Sequence, residues 1–287
     1  MSAIATLLGL LLVVSFIANY LSNQLPNQMS VNDLNHNLQV ENQLTRFDAL
    51  LETASANYAT GAQLTQPISL GSASVPPFAS ADSAYTGNTV NGSSAQVNYS
   101  TTTFASHTPL PLTAGILVHM QNSYSPIADI AFSYGGVVFA QIGGNPIFAD
   151  SPDVTALASG GSVTALHIWL PEFSNRIPSV QGTYTGNLVA RLIAVNQVVV
   201  SNATQLNFAP GSSVVLTITS QFAAAWMSYY NGLNLPGITY SCTPAASVAC
   251  TGPYAGNAGL GTVVLSVPAT HLVSLSVTVA IFSLSIQ

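Results

Sequence analysis

Asp150 and Asp153, in the segment FADSPDV, are the best loop carboxylate pair in this chain. Carboxylates three positions apart in a Ser/Pro turn suit either a weak cation site or an ordinary solvated turn. The five histidines, His36, His107, His119, His167 and His271, lie far apart. His119 and His167 fall inside β-like runs, where a hydrogen-bonded structural histidine is the usual case. Gly256, Gly259 and Gly261 in GNAGLG resemble a phosphate-cradling loop, but without a strand-to-helix context they read as a turn. No G-x-S-x-G, H-E-x-x-H, P-loop or EF-hand pattern occurs. The sequence therefore predicts no enzyme, no catalytic residue, no cofactor and no metal site.

Two features concern covalent chemistry. Cys242 and Cys250, in SCTPAASVACTG, fit a disulfide closing a short loop in an oxidising location. Two unpaired buried thiols are the alternative. Asn91, Asn98 and Asn202 begin N-x-[ST] sequons, and the first two share a polar, loop-like stretch. They are the glycosylation candidates.

The surface that carries these groups is poor in charge. Of 287 residues, 4% are charged, against roughly 25% in ordinary soluble proteins. Lysine is absent, Arg46, Arg176 and Arg191 are the basic residues, and the formal charge is -6. Without a basic patch, nucleic acid is not an expected partner. With so few titrating groups, stability should change little with pH, as suits an extracellular protein in acid or hot surroundings.

The elements fall into three stretches. Residues 1–58 form the helical N-terminal region. From Ala3 to Leu21 the chain is apolar nearly all round, and at 1.5 Å per residue it spans about 28 Å, close to a bilayer core. Thr6, Ser15 and Asn19 interrupt it, but hydroxyls can bond back to the helix. Pro26 should interrupt and kink the helix. Ser30-Val31-Asn32-Asp33 reads as a capping box that restarts it. Beyond that, Val31, Leu34 and Leu38 share one face, and Val40, Leu44, Phe47, Leu51, Ala54 and Tyr58 continue after an offset to an exit at Asn57–Gly61. Residues 59–112 are a Ser/Thr/Pro/Gly-rich connection, with turn signals at Val75-Pro76-Pro77 and Asn91-Gly92 and short strands near Ala95–Phe104.

Residues 113–287 read as a β-rich outer domain. Its strands are expected at Gly115–Met120, Ile130–Tyr134, Gly136–Ile142, Val163–Leu170, Leu188–Val200, Val214–Thr219, Gly261–Val267 and Leu272–Ile286. The alternation in the last strand changes parity at Phe282, which a bulge would explain. Gln221–Gly232 reads as a short helix on the sheet. The fold class expected is α+β: a long N-terminal helix, apolar then amphipathic, followed by a β-sandwich-like domain.

The residues Ser2-Ala3-Ile4-Ala5-Thr6-Leu7-Leu8 resemble the "S-x-I-A-T-L-L" start of archaeal type IV pilins and archaellins. Thr219-Ser220-Gln221-Phe222 through Ala225-Trp226 and Tyr229 are similar to a C-terminal "T-S…A-W…Y" segment of archaeal pilin-like surface proteins. Position 5 is Ala5 rather than the glutamate of bacterial type IV pilins. The family's basic leader does not precede the helix here, so the resemblance implies either a mature chain or one that starts at Met1 without such processing.

Three readings of the opening stretch follow. A cleaved signal peptide needs a basic start and a small-residue cleavage site, and neither is visible. A membrane anchor would leave a surface ectodomain acting as a ligand- or sugar-binding module. The resemblance implies the third and adopted reading: a helix that waits in the membrane and then polymerises into an extracellular homopolymeric filament. Ile4, Leu7, Leu8, Leu11, Val14, Ile17 and Leu21 would be its core residues, and adhesion would follow as a role from the resemblance alone.

Overall fold

The computed structural model describes residues 3–71, 83–88, 94–98, 115–122, 124–175, 179–182, 185–200, 212–243, 248–256, 259–269 and 272–287. Met1, Ser2, Asn91, Asn202, His107, His271, Arg176 and the Val75-Pro76-Pro77 turn lie outside these residues. Its elements, in chain order, begin with α1 (Ala3–Asn19), a π-helical turn (Tyr20–Gln24) and α2 (Leu25–Ala56). Strands β1 (Gln63–Ser69), β2 (Ser83–Asn88), β3 (Ser94–Asn98), β4 (Ile116–Gln121), β5 (Ala128–Phe132) and β6 (Val137–Gln141) follow. Next come β7 (Ile147–Asp150), β8 (Val154–Ser159), β9 (Ser162–Phe173), β10 (Val180–Gly182), β11 (Thr185–Val200) and β12 (Ser213–Ser220). The chain closes with α3 (Ala223–Leu233), β13 (Thr239–Thr243), α4 (Val248–Thr251), β14 (Gly261–Pro268) and β15 (Ser274–Ile286). A long N-terminal helix followed by a strand-rich domain makes the chain α+β.

Pro26 lies in the first turn of α2 and lacks a backbone donor. The π turn immediately before it, where the Leu25 N–H donates to the Tyr20 carbonyl, carries the helical path across this defect. Helix therefore runs on through Ser30–Asp33, and the capping box expected there does not form. The Asp33 carboxylate instead accepts hydrogen bonds from the backbone N–H groups of Tyr124 at 2.9 Å and Ser125 at 2.8 Å.

The strands form three sheets, with orders β1-β11-β15-β9-β8, β10-β2-β4-β5-β6-β7 and β13-β14-β12-β3. All described pairings are antiparallel except β15 with β9. The stretch 59–112 supplies β1, β2 and β3, one strand to each sheet.

The first sheet has a core on each face. On one face, Val40, Leu44, Phe47 and Leu51 of α2 pack among Ile130 and Phe132 of β5, Trp169 and Phe173 of β9, and Phe282 and Leu284 of β15. The lower half of α2 thus fills the space between the first and second sheets. On the other face, Leu166, Ile168 and Leu170 of β9 and Leu275 and Val277 of β15 pack with Leu216, Leu265 and Trp226. Alternate side chains of one strand point to opposite faces, so β9 and β15 each serve both cores. This explains the parity change in β15: the strand leaves one core for the other along its length. The bulge lies across the ladder, in β11 between Leu192 and Ala194, opposite Phe282 and Ile281.

Candidate assembly helix and the polar groups at its base

Helix α1 is built mainly from Ala, Leu, Val and Ile and carries no charge. Apolar side chains point in every direction, so the helix has no face that water would prefer. The seven residues expected to form a filament core, Ile4 to Leu21, are 45–72% exposed, and Leu10, Leu12, Val13 and Phe16 are exposed beside them. A Cβ at Gly9 would meet nothing within 4 Å. Polar interruptions are handled locally: Ser22 Oγ donates to the Ala18 carbonyl at 2.7 Å and Asn23 Nδ2 to Asn19 Oδ1 at 2.7 Å. By length and composition this is one helix able to cross a membrane.

The pattern inverts below Pro26. Val31, Leu34 and Leu38, expected to start the packed face, are instead 55%, 52% and 54% exposed. The buried face there is polar: Asp33, His36 and Asn37. It is buried because the head offers partners to each. Besides the contacts of Asp33, His36 Nε2 lies 3.1 Å from the Ser69 carbonyl and Asn122 Nδ2 donates to Asn37 Oδ1 at 3.4 Å. Buried polar groups with such partners give up little of what water offered them. The apolar side of the same turns is left outward.

At its lower end α2 meets a second polar group. Trp169 Nε1 donates to Ser55 Oγ at 2.9 Å, tying the last turn to β9. Asp153 stands beside it, with His167 Nε2 3.5 Å from Asp153 Oδ2. Asp48 and Glu52 are one turn apart on α2, and Glu52 and Asp153 line one cavity. Burial first, then the charges of Asp150, Glu52 and Asp153, push the Asp48 carboxyl up from 3.8 to about 8. Burial raises Asp150 as well. The hydrogen bond to Asp153 raises His167, against the opposing effect of its own burial. A cavity of about 300 Å³ opens here, lined by Glu52, Tyr58, Asp153, His167, Trp169 and Gln197 among others. The Asp150–Asp153 pair is thus not isolated, because the charges of both act on Asp48 of α2. Among the described residues no group of three or more His, Cys, Asp or Glu is placed to hold a metal ion. The spacing i, i+4 of Asp48 and Glu52 beside the buried Phe47 and Leu51 is the sequence signal for this cluster.

His119 sits elsewhere, on β4. Its Nδ1 lies 2.6 Å from Oδ1 of the buried Asp129, and the Tyr254 hydroxyl donates to Asp129 Oδ2. Gln221 Nε2 in turn donates to the Tyr254 hydroxyl at 3.3 Å. Burial and the neighbouring Asp129 charge raise the Tyr254 hydroxyl well above its ordinary value. An Asp–His pair is two thirds of a nucleophile-activating triad, but among the described residues no serine, threonine or cysteine bonds to the ring. The group instead pins β4, β5 and the loop after α4 together.

Cys242 of β13 and Cys250 of α4 are joined by a disulfide with Cα atoms 5.9 Å apart, and both are buried. Asn98 ends β3, its backbone opposite Val215 of β12.

No protein-family model, curated protein or solved structure matches this chain.

Proposed function

We propose that this chain is a structural subunit of an extracellular type IV pilus-like filament of the archaeal kind, polymerising through α1. The observation that carries the reading is α1 itself: an uncharged helix, apolar on all sides, left uncovered by the described head and continuous with a helix that the head clasps. Burying a Leu, Ile or Val side chain is worth about 2 kcal/mol, so the seven residues from Ile4 to Leu21 supply on the order of 10 kcal/mol toward association. The outward stripe Val31, Leu34 and Leu38 extends the same apolar surface below Pro26. In this reading the helix bends at the π turn before Pro26, and the β-sandwich-like head coats the filament. The partners are copies of the same chain, and the membrane holds the helix before assembly. Asn91, Asn98 and Asn202 are the candidate N-glycan acceptors.

A second reading, a membrane-anchored surface ectodomain that binds a ligand or sugar, draws on the cavity at Glu52, Trp169 and Gln197. Carboxylate, amide and aromatic groups together are what such ligands use. Negative-stain microscopy of material sheared from cells, with mass spectrometry of the fibres, separates the two. The filament reading expects fibres made of this chain. Fibres without it, alongside detergent-soluble monomers, would reject that reading.

A further inference from the structure

A charge-poor chain predicts a flat pH response, yet the fold gathers several of its few titrating groups at one place. Asp48 and Glu52 come from α2, Asp150 from the end of β7, Asp153 from the connection between β7 and β8, and His167 from β9. Asp48 Oδ1 is fully buried and has no hydrogen-bond partner among the described residues. From α3, the Tyr229 hydroxyl lies 3.1 Å from the Pro152 carbonyl and 3.0 Å from that of Val154, holding the connection from behind. Arg46 and Arg191 form no ion pair among the described residues, so His167 is the one cation set against these carboxylates there.

We propose that the junction of α2 with the β7–β8 connection is an acid-closed latch. With Asp48 and Asp150 protonated, the connection is held beside the helix. Once they ionise, their repulsion of each other and of the neighbouring Glu52 and Asp153, with the lost hydration of Asp48, loosens it.

The direction follows from the protons. The Asp48 carboxyl is raised to about 8, and Asp150 and His167 are raised too. Each holds its proton in the folded chain to a higher pH than in the unfolded chain. The folded state therefore binds more protons, and stability falls as pH rises. For Asp48 the loss runs from about 4 through about 8; for His167 it begins near 6.5. The latch is read within a single chain, so it stands or falls apart from the filament reading.

Thermal unfolding of the full chain in detergent micelles at pH 5, 7 and 9 tests it. The wild type should melt about 5 °C higher at pH 5 than at pH 9. Asp48→Asn should raise the pH 9 melting temperature and raise that at pH 5 much less. Asp150→Asn, at a more open position, should do the same to a smaller degree and serves if Asp48→Asn does not fold. Hydrogen exchange, corrected for intrinsic rates, should be faster at pH 9 than at pH 5 in peptides spanning 145–156 of the wild type, and the difference should be smaller in Asp48→Asn. A melting temperature equal or higher at pH 9, or a pH slope that both variants retain, overturns the latch.

Discussion

Helix α1 and the lower half of α2 share one secondary structure and one run of chain, yet they are written for different surroundings. In α1 the apolar side chains occupy the whole circumference and nothing described covers them. In α2, Val40, Leu44, Phe47, Leu51 and Ala54 recur at steps of four and three, and all are buried between two sheets. Charge follows the same division: α1 has none, while Glu41, Arg46 and Glu52 stand on α2 away from the apolar seam. The helix itself is indifferent to what surrounds it. The sheets decide which half is covered within one chain and which half is left exposed.

The largest expected effect breaks one half and spares the other. Leu8→Glu or Leu11→Glu places a charge in the proposed seam and should abolish fibres, while the head melts as the wild type does. Fibres that persist would remove those positions from the core. Phe47→Ala is the converse. Phe47 packs edge-on against Phe132 at 6.1 Å, so its loss should cost about 3–5 kcal/mol of head stability by denaturant titration. The comparison fails if that variant leaves the head untouched.

Smaller effects probe how the head is closed. Cys250→Ser frees an eight-residue separation between β13 and α4 and should cost about 2.5 kcal/mol in unfolding experiments under oxidising conditions. Ser55→Ala leaves the indole N–H of Trp169 without its acceptor at the last turn of α2. About 1–2 kcal/mol is expected, with a change in tryptophan fluorescence as the local readout.

Periodicity made much of this legible. The exit of the helix near residue 57, the eight strands expected after Ala114 and the short helix over Gln221–Gly232 lie near where alternation and Gly/Asn signals put them, whereas β7, β8, β10 and β13 were not expected. Three things were not legible, each for a physical reason. The S-x-x-D motif looks the same at a helix start and inside a helix; the π turn kept the helix going, and the head's backbone claimed Asp33. The parity change in β15 looked like a bulge because one strand serving two cores leaves the same trace as one strand shifted in register. The acidic junction was hidden by distance in sequence, since the charge of Asp153 reaches Asp48 only after α2 is clasped.

The smallest effect on the head is the sharpest test of where the two regions divide. Val31, Leu34 and Leu38 lie on α2, yet they are exposed like α1 and lie away from Asp33, His36 and Asn37, which the head has captured. If the apolar stripe belongs functionally with α1, Leu34→Ser and Leu38→Ser remove nothing the head uses. Each should change head stability by no more than about 0.5 kcal/mol, most of it helix propensity. Fibres built from the double variant should nevertheless shear or dissociate at lower denaturant than wild-type fibres, because the interface loses two large apolar groups. A head weakened by 2 kcal/mol or more would mean that the stripe packs on its own domain in solution. The boundary between self-contained helix and awaiting helix would then move up to Pro26. Unchanged fibres with an unchanged head would put the boundary at the same place for a different reason: the stripe would face water in both states.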